Sequence, residues 1–335
     1  MSRRRLLLPM LALLLGLAAC LSLVASWMVT PAAGVADGAR HVEIAPHLGL
    51  TGVAHTLGEA GAIRSPTAFM AMAVARGTWR SLKAGEYEIP QGANTLAVLA
   101  LLEQGRVVRH PVLLREGGTI EELARTIEER RLGRAADVRR AARDGALLRS
   151  LDVSAPSLEG YLFPDTYLLV RGMTADDILT RMVARLRERV GADLLARARE
   201  LDLSLHQLLT LASIVEREAK EPTELPVIAA VFWNRMKKDM PLQADPTVQY
   251  AVGKDGRLLT RDDLQVDSPY NTYRYAGLPP GPIGSPGRAA IEAVVSPAKV
   301  DYLYFVSVDD RRHHFSSTLA QHNLAVERYR RTRAR

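Results

Sequence analysis

Cysteine is almost absent from this sequence: Cys20 stands alone among 335 residues, so an intramolecular disulfide and a cysteine metal cage are both excluded. Aromatic residues are scarce as well, at 5%, and skewed, with ten tyrosines against five phenylalanines and three tryptophans. There is no low-complexity tract and no Gly-rich phosphate loop, dinucleotide fingerprint or Gly-x-Ser-x-Gly elbow, so no organic cofactor is implied. Helix-turn-helix, RNP and zinc-finger signatures are also missing. The net charge of +7 therefore speaks for anionic lipid or an acidic polymer, not for nucleic acid. His313, His314 and His322 with Asp309 fit no strong ligand spacing, and no metal is expected.

What is present begins with a basic tip, Arg3, Arg4 and Arg5, before an uncharged apolar run from Leu6 to Val29. That is long enough to cross a hydrocarbon core as a tilted helix. The arginines would stay cytoplasmic and send the rest outward, through a single-pass inner-membrane anchor. A cleaved signal peptide is usually shorter. Leu17-Ala-Ala-Cys20 also has the look of a lipobox, although the run stays apolar past Cys20. Each reading tethers the body outside the cytoplasm. The expected organisation is a tip and span over 1–29, a linker over 30–40, a small α/β module over 41–108, and a mixed α+β catalytic domain over 109–335.

Within the small module the pattern reads β-α-α-β-α. Val42 and Ile44 alternate as in a strand, two helical runs follow (Val53 to Leu57, Phe69 to Val74), then a strand after a turn over Leu82 to Pro90 and a helix over Thr95 to Gly105. A weak repeat is visible. Val53-Ala-His-Thr-Leu-Gly-Glu59 and Leu123-Ala-Arg-Thr-Ile-Glu-Glu129 share the shape [VL]-A-x-T-[LI]-x-E, each behind a strand candidate, though any two amphipathic helices can share that much. The Arg/Ala-rich stretch over 115–155 reads as a solvated helical face before a polyanion strip. Pro164-Asp165 reads as a turn, and Thr174 to Glu200 as one long helix.

The densest apolar run starts behind Ser204, a suitable N-cap. It ends in Glu216 and Glu218. At helical spacing Glu218 lies beside Leu211, Ile214 and Val215, and Glu216 beside Leu209, Ala212 and Ser213. A carboxyl on an apolar face is desolvated and stays protonated, which a general acid requires. Equally, both glutamates could form a solvated helix end beside Arg217 and Lys220. Downstream, stiff loops rich in Pro, amides, hydroxyls and phenols suit sugar recognition. They run from Pro241 to Tyr250, from Asp267 to Tyr273 and from Gly277 to Gly287.

Taken in order, Leu211-Ala-Ser-Ile-Val-Glu-Arg-Glu218, Leu242-Gln-Ala-Asp-Pro-Thr-Val-Gln-Tyr250, Tyr270-Asn-Thr-Tyr273 and Gly277-Leu-Pro-Pro-Gly281 resemble the YceG-like endolytic murein transglycosylases. Glu159-Gly-Tyr-Leu-Phe-Pro-Asp-Thr-Tyr167, Tyr302-Leu-Tyr-Phe305 and His322-Asn323 extend the resemblance over nearly everything after residue 40. It implies an N-terminal span, a LysM-like module and a catalytic domain. It also implies cleavage of the MurNAc–GlcNAc bond of nascent peptidoglycan strands to 1,6-anhydro ends, terminating elongation, with synthases as possible partners. Its catalytic glutamate falls on Glu218. Gln243, Thr247, Gln249, Tyr250, Asn271 and Tyr273 become candidates for holding glycan, with Glu216 and Asp245 in support. A muramidase-type hydrolase and a catalytically silent glycan-binding anchor are the competing readings.

Overall fold

The computed structural model describes residues 15–16, 39–254, 256–309 and 311–333. The expected span over 6–29, Cys20 included, lies outside the described residues apart from 15 and 16. Among the described residues no helix is long and apolar enough to cross a membrane. The fold is mixed α+β, mostly helical, with three two-stranded sheets among the described residues. It divides into two compact units. One holds the described residues up to His110 together with Leu168–Met173; the other holds Pro111–Tyr167 and the described residues from Thr174 onward.

The first unit is built from β1 (Arg40–Ile44), α1 (Leu50–Glu59), α2 (Pro66–Ala75), β2 (Gly85–Ile89) and α3 (Thr95–Gln104). β1 and β2 pair antiparallel, with Val42 opposite Tyr87. Val42, Ile44, Leu57, Phe69, Tyr87 and Leu99 make its core. Tyr87 is fully buried because its hydroxyl donates to Lys83 O at 2.7 Å, which removes the penalty of an unpaired polar group. The later segment adds Arg171, whose guanidinium donates to Glu86 at 2.8 Å; Glu86 also meets His110 at 2.7 Å. Nothing in the local pattern announced that return.

The chain then repeats the plan with β3 (His110–Leu114), α4 (Ile120–Glu129), α5 (Ala135–Ala141), an extra α6 (Gly145–Ser150), β4 (Asp165–Leu169) and α7 (Ala175–Glu200). β3 pairs with β4 in a second two-stranded sheet. Ile44 and Leu50 recur 70 residues on as Leu114 and Ile120, and both strands show the same burial alternation. Val53, Ala54 and Leu57 are buried in α1; Leu123, Ala124 and Ile127 are buried in α4. Thr56 and Thr126 each donate to the carbonyl four residues back, at 3.0 and 2.9 Å. Both helices close on a left-handed residue, Gly61 and Arg131, followed by an N–H that returns to Leu57 O or Ile127 O. Side chain by side chain, the weak repeat corresponds to one shared structure.

Two local expectations need correction. Pro164-Asp165 is not followed by a separate turn, because β4 starts at Asp165 itself. The long helix over 174–200 is broken: Gly191 has φ +62° and ψ 172°, a conformation open to glycine and costly for other residues. The remainder is α8 (Leu205–Glu218), α9 (Leu225–Met236), α10 (Asp245–Val252), α11 (Arg288–Val295), the antiparallel hairpin β5 (Tyr304–Ser307) and β6 (His313–Ser316), and α12 (Leu319–Arg333). α8 lies at the centre, packed on α9, α10 and α11.

Candidate active site

Helix α8 forms where its sequence specifies it. Ser204 and Gln207 make a reciprocal capping box, Ser204 N–H donating to Gln207 Oε1 at 2.9 Å and Gln207 N–H to Ser204 Oγ at 3.2 Å. Leu208, Leu209, Leu211, Ala212, Ile214 and Val215 are then completely buried. Ala219 turns to extended geometry, so Glu218 is the last helical residue. It is half-buried, in a crevice that protein lines and solvent still reaches. Desolvation, followed by the nearby Asp245 carboxylate, pushes its pKa up to about 8. The negative end of the helix dipole acts in the same direction. The solvated-end alternative does not describe this residue.

Glu216 points elsewhere. It accepts the Gly287 N–H at 2.9 Å, and burial pushes its pKa up to about 7, assisted by Glu116. It helps fasten the Pro/Gly turn series to α8. Ser213 Oγ accepts Ile283 N–H at 3.0 Å, and Arg217 donates to Ile283 O at 2.8 Å. His206 meets Pro280 O at 2.8 Å through Nε2 and the Tyr161 hydroxyl at 3.0 Å through Nδ1. A carbonyl only accepts, so Nε2 carries the proton and Nδ1 receives the phenol's. The series also pairs with the entry turn of α4: Gly117 N–H donates to Ser285 O at 2.7 Å and Ser285 N–H to Gly118 O at 2.8 Å. A side chain at Gly284 would collide with Gly117 O, so only glycine fits there.

The loops over 241–245 and 271–273 are joined. Gln243 N–H donates to Thr272 O and Ala244 N–H to Thr272 Oγ1, both at 3.0 Å. This brings the Asp245 N–H to the Glu218 carboxyl. Tyr273 donates its hydroxyl to Asp245 at 2.6 Å. Burial and that neighbouring carboxylate raise the phenol's pKa, so it remains a donor. Gln243 sits exposed with φ +50° and has no side-chain hydrogen bond among the described residues. A non-glycine held there is strained, a feature that gathers at functional sites.

Glu218, Asp245, Tyr273 and Gln243 therefore come together. Thr247 and Asn271 do not face the crevice. Both are fully buried, Thr247 donating to Ala244 O at 2.7 Å, and Asn271 bonded to Leu264 O, Val266 O and Tyr273 N. They build the loops. Gln249 donates to Arg257 O at 2.8 Å, and Tyr250 packs on Tyr270 with ring centres 5.0 Å apart, toward the far end of α10. The histidines of the tail are not gathered: His313 bonds Glu224 at 2.7 Å and His322 stacks on Tyr304.

One residue escaped the sequence reading. Arg235 is 7% exposed, donates to Leu303 O, Pro241 O and Leu242 O, and lies 5.4 Å from the Tyr304 ring. It is close enough to Glu218 and Tyr273 to interact with their charges. The available signal was an arginine in line with Ile228, Val231 and Phe232, on the apolar face of α9.

A family model described as YceG-like matches residues 42–328. The chain belongs to the YceG-like family. The endolytic murein transglycosylase of Bacillus subtilis strain 168 is 34% identical over 296 residues, covering 84% of this chain and 82% of that one. A YceG-like relative with the same description in Streptococcus pneumoniae strain D39 is 32% identical, but the match spans 81% of this chain and only 55% of the relative. The crystal structure of a YceG-like protein from Listeria monocytogenes superposes with a TM-score of 0.61 at 33% identity, over 86% of this chain and 99% of that one.

Proposed function

We propose that this protein is an endolytic lytic transglycosylase of peptidoglycan, with Glu218 as its acid and base. The observation that carries the reading is one half-buried carboxyl, held protonated near neutral pH at the end of a buried helix, beside the loops that bring Asp245 and Tyr273 to it. Glu218 donates its proton to the oxygen between N-acetylmuramic acid and N-acetylglucosamine as positive charge develops on the sugar. The ionised carboxylate then takes a proton from the muramyl 6-hydroxyl as that oxygen closes on the anomeric carbon, leaving a 1,6-anhydro end. Attack from within one sugar has a high effective molarity, so a single well-placed carboxyl suffices.

Asp245 and Tyr273 support this carboxyl. The Asp245 N–H steadies it and the Asp245 charge keeps its proton on. Gln243 and Tyr250 are the glycan contacts we favour, with Tyr273 beside them; Thr247, Asn271 and Gln249 shape the loops, and Glu216 anchors the turn series. In the same reading the unit from β1 to α3 is a LysM-like module, residues 109–335 the catalytic domain, and the run over 6–29 an inner-membrane anchor behind Arg3 to Arg5. Synthases that extend the strand are natural neighbours for an enzyme that ends it.

Asp245 also favours a second reading. A second carboxylate near the acid is what a hydrolase uses to activate water. Mass spectrometry of glycan strands treated with the full-length protein in detergent, beside Glu218→Gln, separates the two. Wild-type-only products with 1,6-anhydromuramic ends are expected. Reducing ends would assign the hydrolase, and no cleavage by either form would leave a binding anchor.

A further inference from the structure

Outside the crevice, the second unit has a cleft of about 490 Å³ where α4 and α5 face the C-terminal end of α10. Arg125, Arg139, Arg143 and Arg257 line it, with Tyr250 among the wall residues. Its acidic residues are already engaged. Glu121 receives two bonds from Arg139, at 2.7 and 2.8 Å, and has Arg125 at 3.8 Å. Glu122 completes the capping box with Thr119 and meets Arg115 at 3.2 Å. Glu159 is buried and accepts Ile120 N–H at 3.2 Å. Arg143 and Arg257 are exposed and have no ion-pair partner among the described residues. Arg143 acts on Glu121 only through its charge, so both guanidinium forks keep their hydrogen-bond donors open on one concave wall, a geometry suited to planar oxyanions.

The first copy of the repeat has no such wall. Aligned on their buried positions, the residues matching Arg125, Arg139 and Arg143 are His55, Met70 and Val74, the last 57% exposed. The arginines are therefore not a requirement of the module's fold. The cleft is also near the chemistry. α10 carries Asp245, bonded to Glu218, at one end and Tyr250 five residues on, roughly 7.5 Å away along the helix axis at 1.5 Å per residue. A ligand there belongs to the stretch of polymer next to the scissile bond. The sugars of peptidoglycan are neutral, and the lactyl carboxyl of muramic acid is consumed in the amide to its peptide. The free anions of this polymer are the carboxylates of the peptide stem.

We propose that this cleft binds the peptide stem of a muramyl residue beside the scissile bond, Arg143 and Arg257 gripping its free carboxylates. The proposal rests on peptidoglycan being the substrate. It adds a reader of the stem to an enzyme whose crevice reads only sugar.

The test uses full-length protein in detergent. One arm measures binding of a disaccharide bearing an L-Ala–D-Glu–diamino acid stem, against the same compound with its carboxylates amidated and against inorganic pyrophosphate. The other arm measures kcat/KM on strands with stems and strands stripped of them. For the double variant Arg143→Ala/Arg257→Ala, binding of the acidic compound should weaken at least tenfold, and the preference for stem-bearing strands should fall by a similar factor. Arg143→Lys/Arg257→Lys should retain most of both, and amidation should cost the wild type what the alanine variant loses. Equal loss on both kinds of strand would reduce the arginines to a structural role and overturn the proposal. So would unaltered binding, or tighter binding of pyrophosphate than of the stem. If the wild type makes reducing ends, or cuts nothing, the proposed reaction fails while the binding arm still decides the cleft.

Discussion

The two copies of the β-α-α-β-α plan share a backbone code and differ in what is attached to it. In the first, α1 starts at Gly49 with no side-chain cap, and the turn before it places His47 at φ +64°. In the second, α4 starts at Thr119 with a full capping box, and the matching turn residue is Gly117 at φ +70°. That turn runs against Ser285 and Gly284, the series that α8 holds through Ser213, Glu216 and Arg217, and it is Gly284 whose missing side chain leaves room for Gly117 O. The first copy closes a small core of its own. The second supports the helix that carries Glu218. Conserved burial positions keep the module folded, while its unburied positions and its entry turn are free to take on a task.

The sharpest way to break this comparison is to disturb the contact present only in the second copy. Gly284→Ala should push the turn series off Gly117 O, costing about 2–4 kcal/mol of stability in thermal melts and roughly a hundredfold or more in kcat/KM, since small displacements of a positioned site cost that much. His47→Gly, at the equivalent turn of the first copy, should leave kcat/KM within about twofold. Equal effects at both turns would mean that the entry turn of the second copy has no special role.

The second expected effect is smaller in rate and concerns charge. Folding lifts Glu218 from 4.5 to about 8, so the native state keeps a proton that the unfolded chain releases above the lower value. Stability therefore declines as pH rises between those two values. Glu218→Gln should flatten this slope, with a relative gain of up to about 5 kcal/mol at pH 9, reduced by solvent screening of the half-buried carboxyl, and almost none at pH 4. The rate of the wild type should fall about tenfold per pH unit above roughly 8, as the acid ionises. A rate that rises through that range would remove Glu218 from the acid's role.

The smallest effect compares the caps. Thr119→Ala should cost about 1 kcal/mol, and Gly49→Ser should gain a few tenths, both read as denaturation midpoints. Losses of equal size at both positions would show that the second helix gains nothing from its box.

Much of the fold was readable because its signals are local. Ser204 with Gln207, Asn94 ahead of α3 and Gly105 behind it mark helix ends through bonds spanning a few residues. Apolar spacing set both Glu216 and Glu218 beside apolar residues, and the family resemblance singled out Glu218. Gly191 and the return of Leu168–Met173 were not readable. A glycine inside a helical pattern is often tolerated, and chain return depends on partners far away in sequence.

The amino-acid order alone determined which segments form most of the helices and strands and which of their faces are apolar; that the weak repeat is two copies of one plan took the structure. The elements and their faces follow from periods of 3.6 and 2 residues and from caps, which act within a few positions. Tertiary structure alone decided how the two glutamates differ, Glu216 on the Gly287 N–H and Glu218 beside Asp245, because desolvation depends on what the neighbouring helices and loops place around each carboxyl. It likewise decided that Thr247 and Asn271 face inward, that Arg235 stands near Glu218, and that Arg143 and Arg257 share a cleft. Their numbers lie far apart, and only packing makes them neighbours.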